Sequence, residues 1–163
     1  MDQFSQWLTQ IPHGYLYHGT ARDFDEFSLD FAGERDYGDH GLGVYLTPSS
    51  RLAIIYAYDK AKAIKQPPII MKVRHSLQKI ADLDNPILQT QITNQLKIPF
   101  PKVLKAGVTQ TRPKEESLAI TQYLTSMGFD GATALHGREI VAYDPNKLQI
   151  VEKVTQDRFD FLI

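Results

Sequence analysis

Short apolar and aromatic runs, broken by Gly, Pro and Asp, set the pattern of this chain. They predict strands near both ends and helices between them. Tyr15-Leu16-Tyr17-His18 follows Gly14 and is ended by Gly19-Thr20, a short first strand. Val44-Tyr45-Leu46 predicts a second. Thr47-Pro48-Ser49-Ser50 then starts a helix: a Ser or Thr hydroxyl caps the open amides of a first turn, and Leu52, Ile55, Tyr56 and Ala63 recur at helical spacing. Pro68 to Val73 reads as a strand, and residues 86–97 and 115–127 read as helices, the second stopped by Met127-Gly128. Phe129 to Ala134, Glu139 to Tyr143 and Leu148 to Val154 predict three more strands joined by short connections. Consecutive strands at the end, with helices in the middle, favour an α+β class over a doubly wound sheet. Residues 1–13 are expected to form an N-terminal helix whose face, Phe4, Trp7 and Leu8, packs on the core. Residues 28–42, rich in Gly and Asp, read as a long loop of the kind that carries function in compact domains.

The length of 163 residues fits one domain, with 42% hydrophobic and 23% charged residues. Such a chain buries roughly 70% of the surface it exposes when unfolded, enough for a core without staples. There is no cysteine, which excludes disulfides, thiolate metal sites and a cysteine nucleophile. The start, MDQFSQWLTQIPHG, lacks the basic and apolar regions of a signal peptide, and no apolar run reaches the roughly 20 residues of a membrane helix. A cytoplasmic protein, or one delivered into a target cell's cytoplasm, is the expectation. The net charge of −1 is unevenly spread: −5 over residues 1–58, +8 over 59–114 and −4 over 115–163. The basic middle offers a surface to an acidic partner such as nucleic acid, or it simply solvates exposed helices. Phe100 is nearly alone among its aromatics, so stacking on a single strand is poorly supported.

Three short motifs carry possible chemistry. His18-Gly19-Thr20 ends a strand, and the glycine lets a ligand approach the backbone. Alone, such a histidine is more often structural. Gly41-Leu42-Gly43-Val44-Tyr45 places glycines before a strand rather than after one. It is therefore neither a dinucleotide fingerprint nor a phosphate loop. Gly137-Arg138-Glu139-Ile140-Val141 opens an apolar strand with a carboxylate, suited to acid–base work or to offsetting positive charge. Alone, it reads as a surface glutamate. Metal-ligand spacing of the HExxH kind is absent.

Taken together and in order, these motifs resemble the ADP-ribosyltransferases, specifically their His-Tyr-Glu branch, which includes diphtheria-toxin-like enzymes and poly(ADP-ribose) polymerases. The resemblance runs through His18-Gly19-Thr20, Gly43-Val44-Tyr45, Ser50-Arg51-Leu52-Ala53-Ile54-Ile55-Tyr56 and Glu139. Tyr56 follows Tyr45 by the interval that separates the polymerases' two stacking tyrosines. The ending, Gly128-Phe129-Asp130-Gly131 and then Glu139 to Asn146, is similar to small bacterial and phage members. The resemblance implies a single domain over 1–163 with a split β-sheet core and flanking helices. It implies NAD as substrate, cleaved between nicotinamide and ribose, with ADP-ribose passed to a macromolecular acceptor, protein or nucleic acid, for which the basic segment 59–114 offers a surface. By similarity, His18 would bond the adenosine ribose. The Gly19 backbone, helped by the Thr20 hydroxyl, would hold the nicotinamide amide. Tyr45 and Tyr56 would sandwich the ring, and Arg35 in the loop would touch the pyrophosphate. Glu139, with His18 and Tyr45, would form the catalytic set, the carboxylate bonding the ribose 2′-hydroxyl and offsetting developing positive charge.

Two departures narrow this expectation. Gly137 stands two before Glu139, where arginine-modifying members carry a second acidic or amide residue, so an arginine acceptor is disfavoured. The short chain favours a single transfer over polymer formation. An NAD glycohydrolase using the same site, and a silent NAD-binding module of the same fold, stay open as alternatives. So does a metal-free ribonuclease using His18 with His40 or His136. Otherwise His13, His40, His75 and His136 read as surface or loop residues.

Overall fold

The computed structural model describes residues 3–31, 38–101 and 112–163. Among them eight strands form two sheets. The first holds β1 (Leu8–Thr9), β5 (Ile80–Asp82), β6 (Gly131–Ala134), β7 (Glu139–Ala142) and β3 (Val44–Leu46), in the spatial order β1-β5-β6-β7-β3. The second holds β2 (Leu16–Thr20), β4 (Ile69–His75) and β8 (Leu148–Thr155), in the order β2-β4-β8. Every pairing is antiparallel except β5 with β6. This is the α+β split-sheet arrangement expected above.

Alternation along the strands sorts their side chains into three cores. Leu16, Val44, Leu46, Met71, Val73, Ile140 and Ala142 fill the space between the sheets. The residues between them in sequence face outward. Val141 and Ala132 meet Leu88 and Ile92 of α3 (Pro86–Leu96) and Ile120 and Leu124 of α4 (Lys114–Ser126). On the opposite side, Ile70 and Val154 meet Ala53 and Ala57 of α2 (Ser50–Ile64) and Phe159 of the C-terminal 3-10 helix Gln156–Leu162. The layers are thus helix pair, five-stranded sheet, three-stranded sheet, and α2 with the 3-10 helix.

The helix boundaries follow the local chemistry. The Ser49 side chain accepts from the Leu52 amide at 3.2 Å and starts α2, and Asn85 followed by Pro86 starts α3. Gly128, at φ +95°, ends the turn after α4. The N-terminus departs from expectation. The first helix, α1, is only Gln3–Gln6. Trp7 turns into the core at 2% exposure, and Leu8 lies on a strand, 39% exposed. The reason is backbone pairing: the Trp7 carbonyl accepts from the Asp82 amide at 2.8 Å, and Leu8 and Thr9 pair with Ala81 and Ile80. Strand β5 and the C-terminal 3-10 helix were not predicted. Among the described residues no helix is long and apolar enough to cross a membrane.

Candidate functional site

The two sheets are stitched together at one pair of residues and part beyond it. Tyr17 and Thr47 exchange backbone hydrogen bonds of 2.8 and 2.9 Å. Strand groups alternate sides, so the peptide N–H and C=O of Gly19, two residues on, point the same way, off β4 and into the split. The Gly19 carbonyl accepts from Lys60 Nζ of α2 at 2.9 Å. Glycine is required there by packing: a Cβ at position 19 would lie 2.0 Å from the Ala53 carbonyl oxygen and 2.8 Å from the Ala57 nitrogen. The buried alanines of α2 and this glycine let helix and strand backbones touch.

His18 sits beside the split, its ring edge-on to Phe27 at 5.2 Å and tilted on Phe24 at 6.1 Å. Its Nδ1 lies 2.8 Å from the Tyr45 carbonyl oxygen. A carbonyl only accepts, so Nδ1 carries the proton and Nε2 is left with its lone pair. Burial, and secondarily the Lys60 charge, lower the ring's pKa from 6.5 to about 3. His18 is therefore a neutral ring whose Nε2 has acceptor character. Thr20 is buried, and its hydroxyl oxygen accepts from the Arg22 amide at 3.1 Å, which gives it a turn-forming role.

Across the split, the register Tyr45↔Val141 and Leu46↔Ile140 puts Glu139 on the same sheet face as Val141 and Tyr45. The Tyr45 ring packs toward the α3–α4 core, and its hydroxyl donates to the Gly41 carbonyl at 2.6 Å while accepting from the His40 amide at 3.1 Å. That end of the ring is thus anchored in the loop before β3. Tyr56, on α2, is 40% exposed. Burial raises the pKa of its phenol, and the nearby Glu139 carboxylate raises it further. Burial and the same carboxylate push the Tyr143 phenol well above its ordinary value. The structure therefore gathers His18, Gly19, Tyr45, Tyr56 and Glu139 around one split. Arg35 lies outside the described residues.

Sequence reasoning missed two members. Lys60 reaches the Gly19 carbonyl from one turn beyond Tyr56. His40, read above as a surface or loop residue, places Nδ1 2.5 Å from Glu139 Oε2. Its sequence signals were its place in the Gly- and Asp-rich loop and its candidacy as an acid or base beside His18 in the ribonuclease alternative.

The sequence matches, over residues 14–159, the family described as ADP-ribosyltransferase in polyvalent proteins. The chain belongs to this family. Among solved structures, a chain of the M. tuberculosis MbcT–MbcA toxin–antitoxin complex superposes with a TM-score of 0.54 at 17% identity, over 91% of this chain and 87% of that one. That likeness establishes the ADP-ribosyltransferase-like fold. An anti-CRISPR protein gives a TM-score of 0.43 at 14% identity, over 86% of this chain and 95% of that one. No curated protein matches the sequence.

Proposed function

We propose that this member of the family is an NAD-dependent mono-ADP-ribosyltransferase that cleaves the nicotinamide–ribose bond and passes ADP-ribose to a macromolecular acceptor. The observation that carries the reading is the split itself: the Gly19 peptide edge, its carbonyl held by Lys60, and a neutral His18 on one side, and the Glu139 carboxylate on the other. These groups fit NAD. An amide needs one donor and one acceptor side by side, and a strand edge supplies that pair. The ribose hydroxyls are donors, matched by the lone pair on His18 Nε2. The tyrosines supply flat apolar faces for a pyridinium ring.

In this reading, Gly19 and His18 hold the dinucleotide, and Lys60 yields the Gly19 carbonyl to the incoming amide. Tyr56 covers the ring and keeps water from the reacting carbon. Glu139 bonds the ribose 2′-hydroxyl and offsets the positive charge that builds on the sugar as nicotinamide leaves. Preorganised charge of this kind supplies several kcal/mol in a site that excludes water. Glu139→Gln keeps shape and removes charge, so cleavage should fall about 100-fold, roughly 3 kcal/mol, with NAD binding retained. The test is nicotinamide release and transfer of labelled ADP-ribose into lysate treated separately with protease and nuclease. Near-normal turnover by the Gln variant would remove Glu139 from the mechanism. Nicotinamide release without labelled macromolecule would favour hydrolysis over transfer.

A further inference from the structure

The segment from Gly38 to Leu42 is fastened carbonyl by carbonyl. Its five consecutive carbonyl oxygens each accept from a different side chain: Gly38 from Ser117 Oγ at 2.8 Å, Asp39 from Arg112 Nε at 3.0 Å, His40 from the Tyr143 hydroxyl at 2.7 Å, Gly41 from the Tyr45 hydroxyl at 2.6 Å, and Leu42 from Thr121 Oγ1 at 2.8 Å. Irregular backbone is seldom held so completely by side chains, since most backbone groups pair with backbone or water. The glycines add to the constraint. A Cβ on Gly38 would meet the Tyr45 hydroxyl at 2.1 Å, and one on Gly41 would meet Thr121 Oγ1 at 2.7 Å.

What this clamp presents is His40. Its N–H and C=O are both taken, by Tyr45, which is registered opposite Val141, and by Tyr143, the residue after β7. Its ring meets Phe100 edge-on at 6.1 Å, and Phe100 in turn lies under the Arg112 guanidinium at 5.6 Å. On the side-chain side, Nδ1 lies 2.5 Å from Glu139 Oε2, with the two side chains 13% and 19% exposed. Neither buried atom makes an aligned hydrogen bond to any partner, so this close ion-pair contact is what each has. A carboxylate oxygen only accepts, so the contact requires a proton on His40 Nδ1.

We propose that His40 is the positioning residue of the site: its Nδ1 proton holds one oxygen of Glu139, so that the other oxygen is aimed into the split. This rests on the NAD reading above for what Glu139 then does. It also supplies what the sequence lacks at Gly137, since the second polar group beside the carboxylate comes from the loop before β3 instead of from β7. A carboxylate fixed on one oxygen keeps its orientation while the ribose binds, and loss of about 1 Å of placement costs roughly 100-fold in turnover.

The experiment has two arms. In the first, the full chain labelled with ¹⁵N-histidine is observed by NMR at mildly alkaline pH. His40 should carry its proton on Nδ1, and Glu139→Ala should release it to the Nε2 form that free imidazole prefers. A ring that is Nε2-protonated in both chains overturns the proposal without touching the NAD reading. In the second arm, nicotinamide release is measured for His40→Leu and His40→Asn. His40→Leu should lower kcat about 100-fold with KM for NAD within about twofold, and His40→Asn, whose amide can still donate, should recover at least tenfold of that loss. Equal kcat in all three chains overturns the proposal, and so does loss of KM and thermal stability together with no recovery in the Asn variant. Should the unaltered chain cleave no NAD while the NMR pairing holds, the NAD reading fails and the pairing stands.

Discussion

Replacing Gly19 with alanine tests the contact that brings α2 to the site. The added Cβ would lie 2.0 Å from the Ala53 carbonyl oxygen and 2.8 Å from the Ala57 nitrogen. Both are backbone atoms of the buried alanine face of α2, so no rotamer relieves the clash. An ordinary contact needs about 3.4 Å, so strand and helix must separate by more than ~1 Å. Overpacking of a core costs about 1–3 kcal/mol, and a clash of backbone with Cβ belongs at or above the top of that range. The alanine recovers about 0.4–1 kcal/mol by stiffening the unfolded chain. A net loss of about 2–3 kcal/mol corresponds to a Tm lower by roughly 4–12 °C for a domain of this size. The separation also carries Tyr56 and Lys60 away from the peptide edge of Gly19, so NAD affinity should fall with it. Thermal melts and NAD titration calorimetry on the Gly19→Ala chain provide the check. A Tm unchanged within about 1 °C and undiminished affinity would refute the apposition of β2 and α2.

Three further outcomes follow from the same structure. His18 has a pKa lowered from 6.5 to about 3 in the fold, so protons favour the unfolded chain. Its contribution to stability is fully present well above pH 6.5 and is lost as pH falls toward 3, about 2 kcal/mol by roughly pH 5. Denaturant midpoints of the unaltered chain and of His18→Gln should differ in pH dependence across that window, and parallel profiles would count against a buried neutral ring. Tyr45→Phe removes the hydroxyl shared by Gly41 and His40 and should cost about 1–2 kcal/mol in urea unfolding, with a larger proportional loss of turnover than of NAD affinity. Arg112→Leu strips donors from the Asp39 and Pro99 carbonyls and should cost about 2–4 kcal/mol by the same assay, while a loss under about 0.5 kcal/mol would show that the buried guanidinium holds nothing in place.

What the sequence made legible was local. The Ser49 cap, the Gly128 stop, the His18-Gly19 strand end and the spacing of Tyr45 from Tyr56 on α2 all declare themselves within a few residues of the feature they create. The role of Gly19 was half legible. Its backbone does line the split, but the alanine face that forbids a side chain there is visible only once α2 docks. The N-terminal helix failed because Trp7 and Leu8 satisfy helical spacing equally well, and the pairing with β5 decides against it. His40 was illegible for a different reason. The groups that fix it come from β3, α4, the residue after β7 and the chain before α4, and no local pattern unites Tyr45, Ser117, Thr121, Tyr143 and Arg112.

The site's two banks answer to different cores, and this bears on how the molecule comes apart. Glu139 and Tyr45 ride on the sheet buttressed by α3 and α4, whereas Gly19 and Tyr56 depend on α2, and α2 leans on the chain's last turn. Ser50 Oγ donates to the Leu162 carbonyl at 2.6 Å, and the Tyr58 ring meets Phe159 at 5.9 Å. Fraying of that tail would therefore loosen the bank proposed to grip the dinucleotide first and leave the carboxylate bank folded, a sub-global opening that hydrogen exchange would report as lower protection in α2 than in β7.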